Sequence, residues 1–245
     1  MQFGIRRAVD LQRIPVSLAG LGDIIIECAL PYKLDEFLEQ QDQLPALESY
    51  IQENDIRVGT VHAPQGHLTE AFFFSWALKT MRFAESVGAS CVVFHPENCK
   101  LDRKSNVQLT ALQNIRRLQR ETSVTVAIET FGGPKRVLTP EDIVSKKLPM
   151  VLDTSHLPPE QTLDLIGTYA HNIAGVHLSE SRLDEHPEHR GEKNQHQPVK
   201  EFAFHVLDEL VKKKWQGTVT LEYMPWWHHR LVDDCRMLQK RYPIS

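Results

Sequence analysis

Eight short apolar runs punctuate the chain, at residues 3–6, 23–30, 57–63, 89–95, 124–130, 149–155, 173–179 and 217–223. Most are close to continuously hydrophobic rather than alternating, which is the pattern of strands covered on both faces. Between them the period lengthens. Over 68–88, Phe73, Ala77, Met81 and Ala84 recur at three- and four-residue steps and Gly88 supplies a stop, which predicts a helix. Similar patterns cover 105–121, 159–170 and 199–214, and a short one at 139–145 opens with a Thr cap and a Pro in its first turn. Strands alternating with helices and joined right-handedly predict an α/β chain folded as a single (β/α)8 TIM barrel over 1–245, with its site at the carboxyl ends of the strands. Pro15, followed closely by Gly20 and Gly22, predicts a short or irregular first helix. The polar stretch 181–200 predicts a long loop after the seventh strand.

Composition narrows this picture only slightly. The 245 residues suffice for one barrel, and a formal net charge of −4 lacks the global basic excess of a general nucleic-acid binder. A local basic patch stays open. Cys28, Cys91, Cys99 and Cys235 have no CxxC spacing, and the amino terminus lacks the apolar core of a signal peptide. Free thiols in a reducing cytoplasm are expected, with Cys28 and Cys91 as buried small hydrophobes. No run approaches the ~18 apolar residues that span a membrane.

Ligand-type side chains close the apolar runs. His62 sits in VGTVHAP, His95 in CVVFHPE, Glu129 in VTVAIET, His177 in IAGVHLSE and Glu222 in TVTLEYMP, while Asp153 and His156 share MVLDTSH. One histidine at a strand end is ordinarily a hydrogen-bonded structural residue. Several imidazoles and carboxylates on one rim, however, are costly to desolvate unless a cation neutralises them, and mixed His, Asp and Glu donors suit zinc or manganese. In DTSH the spacing lets the carboxylate serve one ion and the imidazole a second. Asp184 and His186 form Asp-Glu-His in the long loop, where an extended backbone would project both to one side; alone they read as solvated charges.

Other residues carry paired readings. Glu129 and Glu222 can bridge metals or remove a proton from a carbon beside a carbonyl. Glu27 ends the second strand either as a further acid or base or as a buried partner of Arg6 or Arg57. The turn FGGPKR (131–136) offers backbone amides and two cations as a phosphate cradle, or is a tight barrel loop. MPWWHHR (224–230) places two indoles and an arginine where they stack on a sugar or base, or cap the barrel. His189, His196, His228 and His229 read mainly as solvated, with substrate contact as the alternative.

Together these motifs resemble the xylose isomerase-like barrel superfamily, and within it the endonuclease IV (AP endonuclease family 2) branch, over nearly the whole chain. The resemblance implies two or three zinc ions held by His62, His95, a bridging Glu129, Asp153, His156, His177, Asp184, His186 and Glu222. Catalytic roles are expected for Glu129, Glu222 and His177, and substrate contacts from Arg182, Trp226 and His189. The implied activity is hydrolysis of a phosphodiester or smaller phosphoester, with abasic DNA as the branch's substrate. Two departures bear on that substrate. The branch's Gly-Glu-Gly appears as Gly191, Glu192 and Lys193, one residue late, and the segments after strands two and three, PYKLDEF and APQGHLTE, are short for DNA-penetrating loops.

The superfamily also contains sugar and sugar-phosphate isomerases and epimerases that use a single Mn, Co or Mg ion. Their four-ligand set is similar to Glu129, Asp153, His177 and Glu222, with His156 and Arg182 on the substrate. A third expectation is a non-catalytic metal-binding barrel. The sequence leaves the oligomeric state open.

Overall fold

The computed structural model describes residues 1–18, 23–100, 104–180 and 196–243. Eight parallel strands close into a barrel in chain order. They are β1 (Gln2–Ala8), β2 (Ile25–Ala29), β3 (Val58–His62), β4 (Cys91–Phe94), β5 (Thr125–Glu129), β6 (Met150–Asp153), β7 (Ile173–Leu178) and β8 (Thr218–Leu221). Every predicted apolar run holds one of them. Helices surround the barrel: α1 (Ile14–Ser17), α2 (Leu34–Gln40), α3 (Leu44–Glu53), α4 (Phe73–Ser86), α5 (Lys104–Glu121), α6 (Pro140–Ser145), α7 (Pro159–Tyr169), α8 (Glu201–Lys212) and α9 (Leu231–Arg241).

α1 is four residues long, as Pro15 predicts. Thr139 caps α6 in a reciprocal capping box with Asp142. α4 starts later than its periodicity suggests, because the Leu68 amide and the Thr69 hydroxyl are both drawn into hydrogen bonds to the Glu97 carboxylate. Three helices, α2, α3 and α9, fall outside the predicted set.

The strands alternate between two apolar environments, which is the period of two that a pleated backbone imposes. Val92, Phe94, Val126, Ile128, Leu152, Val176 and Leu221 join the large cluster beneath the helices. Cys91, Val93, Ala127 and Val151 instead form a separate small cluster, the plug filling the barrel interior. The next residue on this inward side is Glu129 after Ala127 and Asp153 after Val151, so the same alternation that builds the plug lifts carboxylates directly above it.

Two register shifts tune the level of this polar layer. Val58 pairs with Ile26 but Thr60 with Glu27, and Met150 pairs with Ile173 but Val151 with Gly175. Gly59 and Ala174 are the extra residues, each a local bulge. One consequence is that Thr60 donates a 2.9 Å hydrogen bond to Glu27; the other is that Asp153 lies level with His177.

Cys28, Cys91 and Cys235 are buried and Cys99 is half-buried, all as free thiols. Burial pushes Cys28 and Cys91 up to about 12 and Cys235 up to about 11, so these three remain protonated and inert at pH 8. A thiol reagent at that pH should label one cysteine per native chain, Cys99, and all four after unfolding. Prompt native labelling of two or more would contradict this packing. Among the described residues no helix is long and apolar enough to cross a membrane.

Candidate metal centre

Three groups of donor atoms lie on the polar layer, and within each the atoms are within 4.8 Å of one another: His62, His95 and Glu129; Glu129, Asp153, His177 and Glu222; and Asp153, His156 and His196. Glu129 belongs to the first and second groups, Asp153 to the second and third. The groups therefore form a row, joined by shared carboxylates.

Local structure aims each donor. Asp153 receives the Ser155 amide at 2.7 Å and its hydroxyl at 2.8 Å on Oδ1, which leaves Oδ2 for the site. The Thr154 hydroxyl turns away to the carbonyls of His177 and Ser179, tying the end of β6 to β7. Phe131 packs its ring 3.9 Å from that of His156 and 5.0 Å from that of His95. Gly132 brings this loop close: its amide donates to the His156 carbonyl at 3.2 Å, and a Cβ there would meet that oxygen at 3.0 Å.

Glu129 is the hub. Its Oε2 lies 2.6 Å from His95 Nε2 and 3.2 Å from His62 Nε2, and its Oε1 lies 3.3 Å from His177 Nδ1. Burial pushes the Glu129 carboxyl up, but His95 and His177 outweigh it and hold the group well below the usual carboxylate range. Burial pushes His177 down, yet Glu27, Glu129 and Glu222 hold it well above the ordinary imidazole value. Burial, helped by Arg6, lowers His62.

The donor set fits a cation. His177 Nδ1 faces three carboxylate oxygens, Glu222 Oε2 at 3.0 Å, Glu129 Oε1 at 3.3 Å and Asp153 Oδ2 at 3.8 Å. One nitrogen carries at most one proton and cannot serve all three. Asp153 Oδ2, Glu222 Oε2 and His156 Nδ1 are buried without a hydrogen-bond partner, and each such atom costs ~1–3 kcal/mol if left so. A divalent ion would satisfy them.

Glu27 settles between its paired readings as a buried partner, and of Arg6 rather than Arg57. Its Oε1 is 3.7 Å from Arg6 Nε and its Oε2 2.8 Å from His177 Nε2. Sequence reasoning did not anticipate the second contact, which spans the barrel from β2 to β7. It holds a proton on His177 Nε2, which donates to Glu27, so Nδ1 is the nitrogen that would give up its proton to a metal. Arg6 also donates to Glu222, engaging Oε1 and leaving Oε2 for the site.

His196 is the functional candidate that sequence reasoning left among the solvated histidines. It is buried, and its backbone adopts φ 53, the left-handed region that costs a non-glycine residue energy. Met224 donates to its carbonyl at 3.1 Å, and the Ser155 hydroxyl lies 3.1 Å from Nε2. No spacing signal marked it. Of the nine predicted ligands, His62, His95, Glu129, Asp153, His156, His177 and Glu222 come together here. Asp184 and His186 lie outside the described residues, as do Arg182 and His189. Trp226 sits in the 3-10 turn Pro225–Arg230 and does not line the cavity, whereas His228 does.

That cavity has a volume of about 670 Å3 and opens from the donor row, with Tyr32, Gln65, Phe131, Arg136 and Met224 among its walls. A volume in this range holds a small ligand.

The fold has many solved counterparts. A D-tagatose 3-epimerase-like protein superposes with a TM-score of 0.70 at 16% identity, covering 99% of this chain and 97% of its own. A 3-keto-D-glucoside 4-epimerase from E. coli gives 0.67 at 13%, covering 98% and 99%. Endonuclease IV from Thermus thermophilus gives 0.61 at 17%, covering 98% and 100%. At these identities the likeness is one of fold. No curated protein matches the chain. The family model described as xylose isomerase-like TIM barrel matches residues 25–241. The chain belongs to the xylose isomerase-like TIM barrel family.

Proposed function

We propose that this protein is a multinuclear metal-dependent phosphoester hydrolase, with zinc as its preferred ion and a small phosphoester as its preferred substrate. The observation that carries this reading is the row of three donor groups joined by Glu129 and Asp153. A single-ion enzyme needs only the middle group. Metal held by these three groups would supply activation of water and stabilisation of the charge that develops on the oxygens of a phosphoryl transfer. The protein's own groups prepare the site: Arg6 keeps the Glu222 carboxylate ionised and occupies its Oε1, Glu27 holds the His177 proton on Nε2, and Phe131 buttresses His156 and His95. The plug beneath closes the lower barrel, so the scissile group meets fixed dipoles in place of bulk water. The endonuclease among the structural neighbours is an enzyme of a compatible class.

Metal analysis by plasma mass spectrometry, on protein purified without chelator or histidine tag, tests the reading first. Two or three zinc ions per chain are expected, followed by turnover of a panel of phosphomonoesters and phosphodiesters. An abasic-site duplex belongs in that panel, because nicking at nanomolar enzyme would extend the substrate to DNA. One ion per chain, or no phosphoester turnover with full metal, would sink it.

A second reading has its own observation. Glu129, Asp153, His177 and Glu222 form a four-donor group complete without the others, which suits a single-ion sugar isomerase or epimerase in which two carboxylates hold the ion and move a proton. Solvent deuterium entering a ketose or keto-sugar distinguishes it. A barrel that binds metal without chemistry would show the metal and neither activity.

A further inference from the structure

The turn after β5 offers only half of the phosphate cradle that its sequence suggests. Its backbone is engaged: the Gly132 amide goes to the His156 carbonyl at 3.2 Å and the Arg136 amide to Gly133 at 3.5 Å. The Arg136 side chain is different. Its Nη1 donates to the Pro96 carbonyl at 3.1 Å, and its guanidinium carbon stands 4.3 Å over the Phe131 ring, the same ring that packs on His156. Both contacts fix the plane of the guanidinium, and only one of its five N–H donors is committed by the Pro96 bond.

Charge accounting makes Arg136 the exception in this cavity. Among the described residues two arginines line it, Arg6 and Arg136. Arg6 is held by Glu222 and Glu27. Among the described residues Arg136 has no carboxylate within ion-pair distance, and burial pushes its guanidinium below the ordinary value even though Glu129 pulls the other way. His228, on another wall, is lowered by burial, so it supplies little positive charge at neutral pH. A half-buried cation held in a fixed plane, without a counter-ion among the described residues and beside the donor row, is matched by an anionic ligand, and the planar fork suits the paired oxygens of phosphate or carboxylate.

We propose that Arg136 anchors an anionic group of the substrate, a phosphate or a carboxylate, against the wall formed by His95 and Phe131. This inference rests on the proposed function only in taking the same cavity as the substrate's seat. It makes Arg136 a determinant of specificity: uncharged analogues lose their anchor while the metal donors remain intact.

The test compares metal-loaded wild type, Arg136→Met and Arg136→Lys by isothermal titration with inorganic phosphate and, separately, acetate, with metal content measured in each protein. Methionine keeps the apolar contact with Phe131 and removes the charge; lysine keeps the charge and removes the fork. Phosphate affinity should fall at least tenfold in Arg136→Met and less in Arg136→Lys, with equal metal content throughout. A phosphate preference over acetate assigns the anchor to phosphate, and equal or tighter acetate binding to carboxylate. Unchanged phosphate and acetate affinity in Arg136→Met, no binding of either anion to wild type, or loss of metal in Arg136→Met would each overturn the assignment. A wild-type chain that carries no metal overturns the hydrolase reading instead, and the same anion comparison on metal-free protein still decides the role of Arg136.

Discussion

Replacing Glu129 with glutamine should lower metal content by at least one ion per chain and reduce turnover roughly a thousandfold or more, equivalent to ~4 kcal/mol of lost transition-state stabilisation. The size follows from its position. Glu129 stands in two of the three donor groups, so a neutral amide at that position weakens two sites together. Glutamine preserves volume and can still hydrogen-bond His95 and His62, so the fold should survive; an unchanged circular dichroism spectrum with lost metal is the expected pair of results. Full metal content and full activity in the variant would remove Glu129 from the centre.

Glu27→Gln should weaken the tightest-bound ion by ten- to a hundredfold, ~1.4–2.7 kcal/mol, without removing any direct donor. The carboxylate at 2.8 Å from His177 Nε2 keeps the proton on that nitrogen and makes Nδ1 a better donor. A neutral amide can accept the same hydrogen bond but lends no charge. Competition with a chelating dye measures the affinity directly, independent of any substrate. Were affinity to hold while stability fell, Glu27 would be a partner for Arg6 alone. Because the proposed Arg136 anchor should leave metal affinity untouched, the two variants also separate metal tuning from substrate recognition.

The sequence already carried the barrel, because strands buried on both faces leave an unbroken apolar trace and each was followed by a recognisable turn. It carried seven of the clustered donor residues for the same reason: each closes an apolar run or lies a turn beyond it. What it hid came from three-dimensional closure. Nothing local links Glu27 to His177, since the contact crosses the barrel. His196 reaches the third donor group through a left-handed backbone turn and bonds to Met224 and Ser155, none of which has a period. α3 buries Leu44, Leu47 and Ile51, a helical spacing, but Pro45 and the polar QDQ before it blur the start. Two indoles beside a conspicuous cluster suggested either a stacking platform or a cap on the barrel; Trp226 stands in the 3-10 turn, and among the described lining residues it is the neighbouring His228 that faces the cavity.

The plug of Cys91, Val93, Ala127 and Val151 imposes an order of departure. With the barrel filled from below, among the described residues the donor row is reached through the cavity lined by Tyr32, Arg136 and Pro225. If metal binds the donor row as proposed, a substrate or product seated in that cavity would stand between it and solvent, and would leave before it. Stripping by a chelator will run at the pace of product escape, so a working enzyme should hold its metal longer than an idle one.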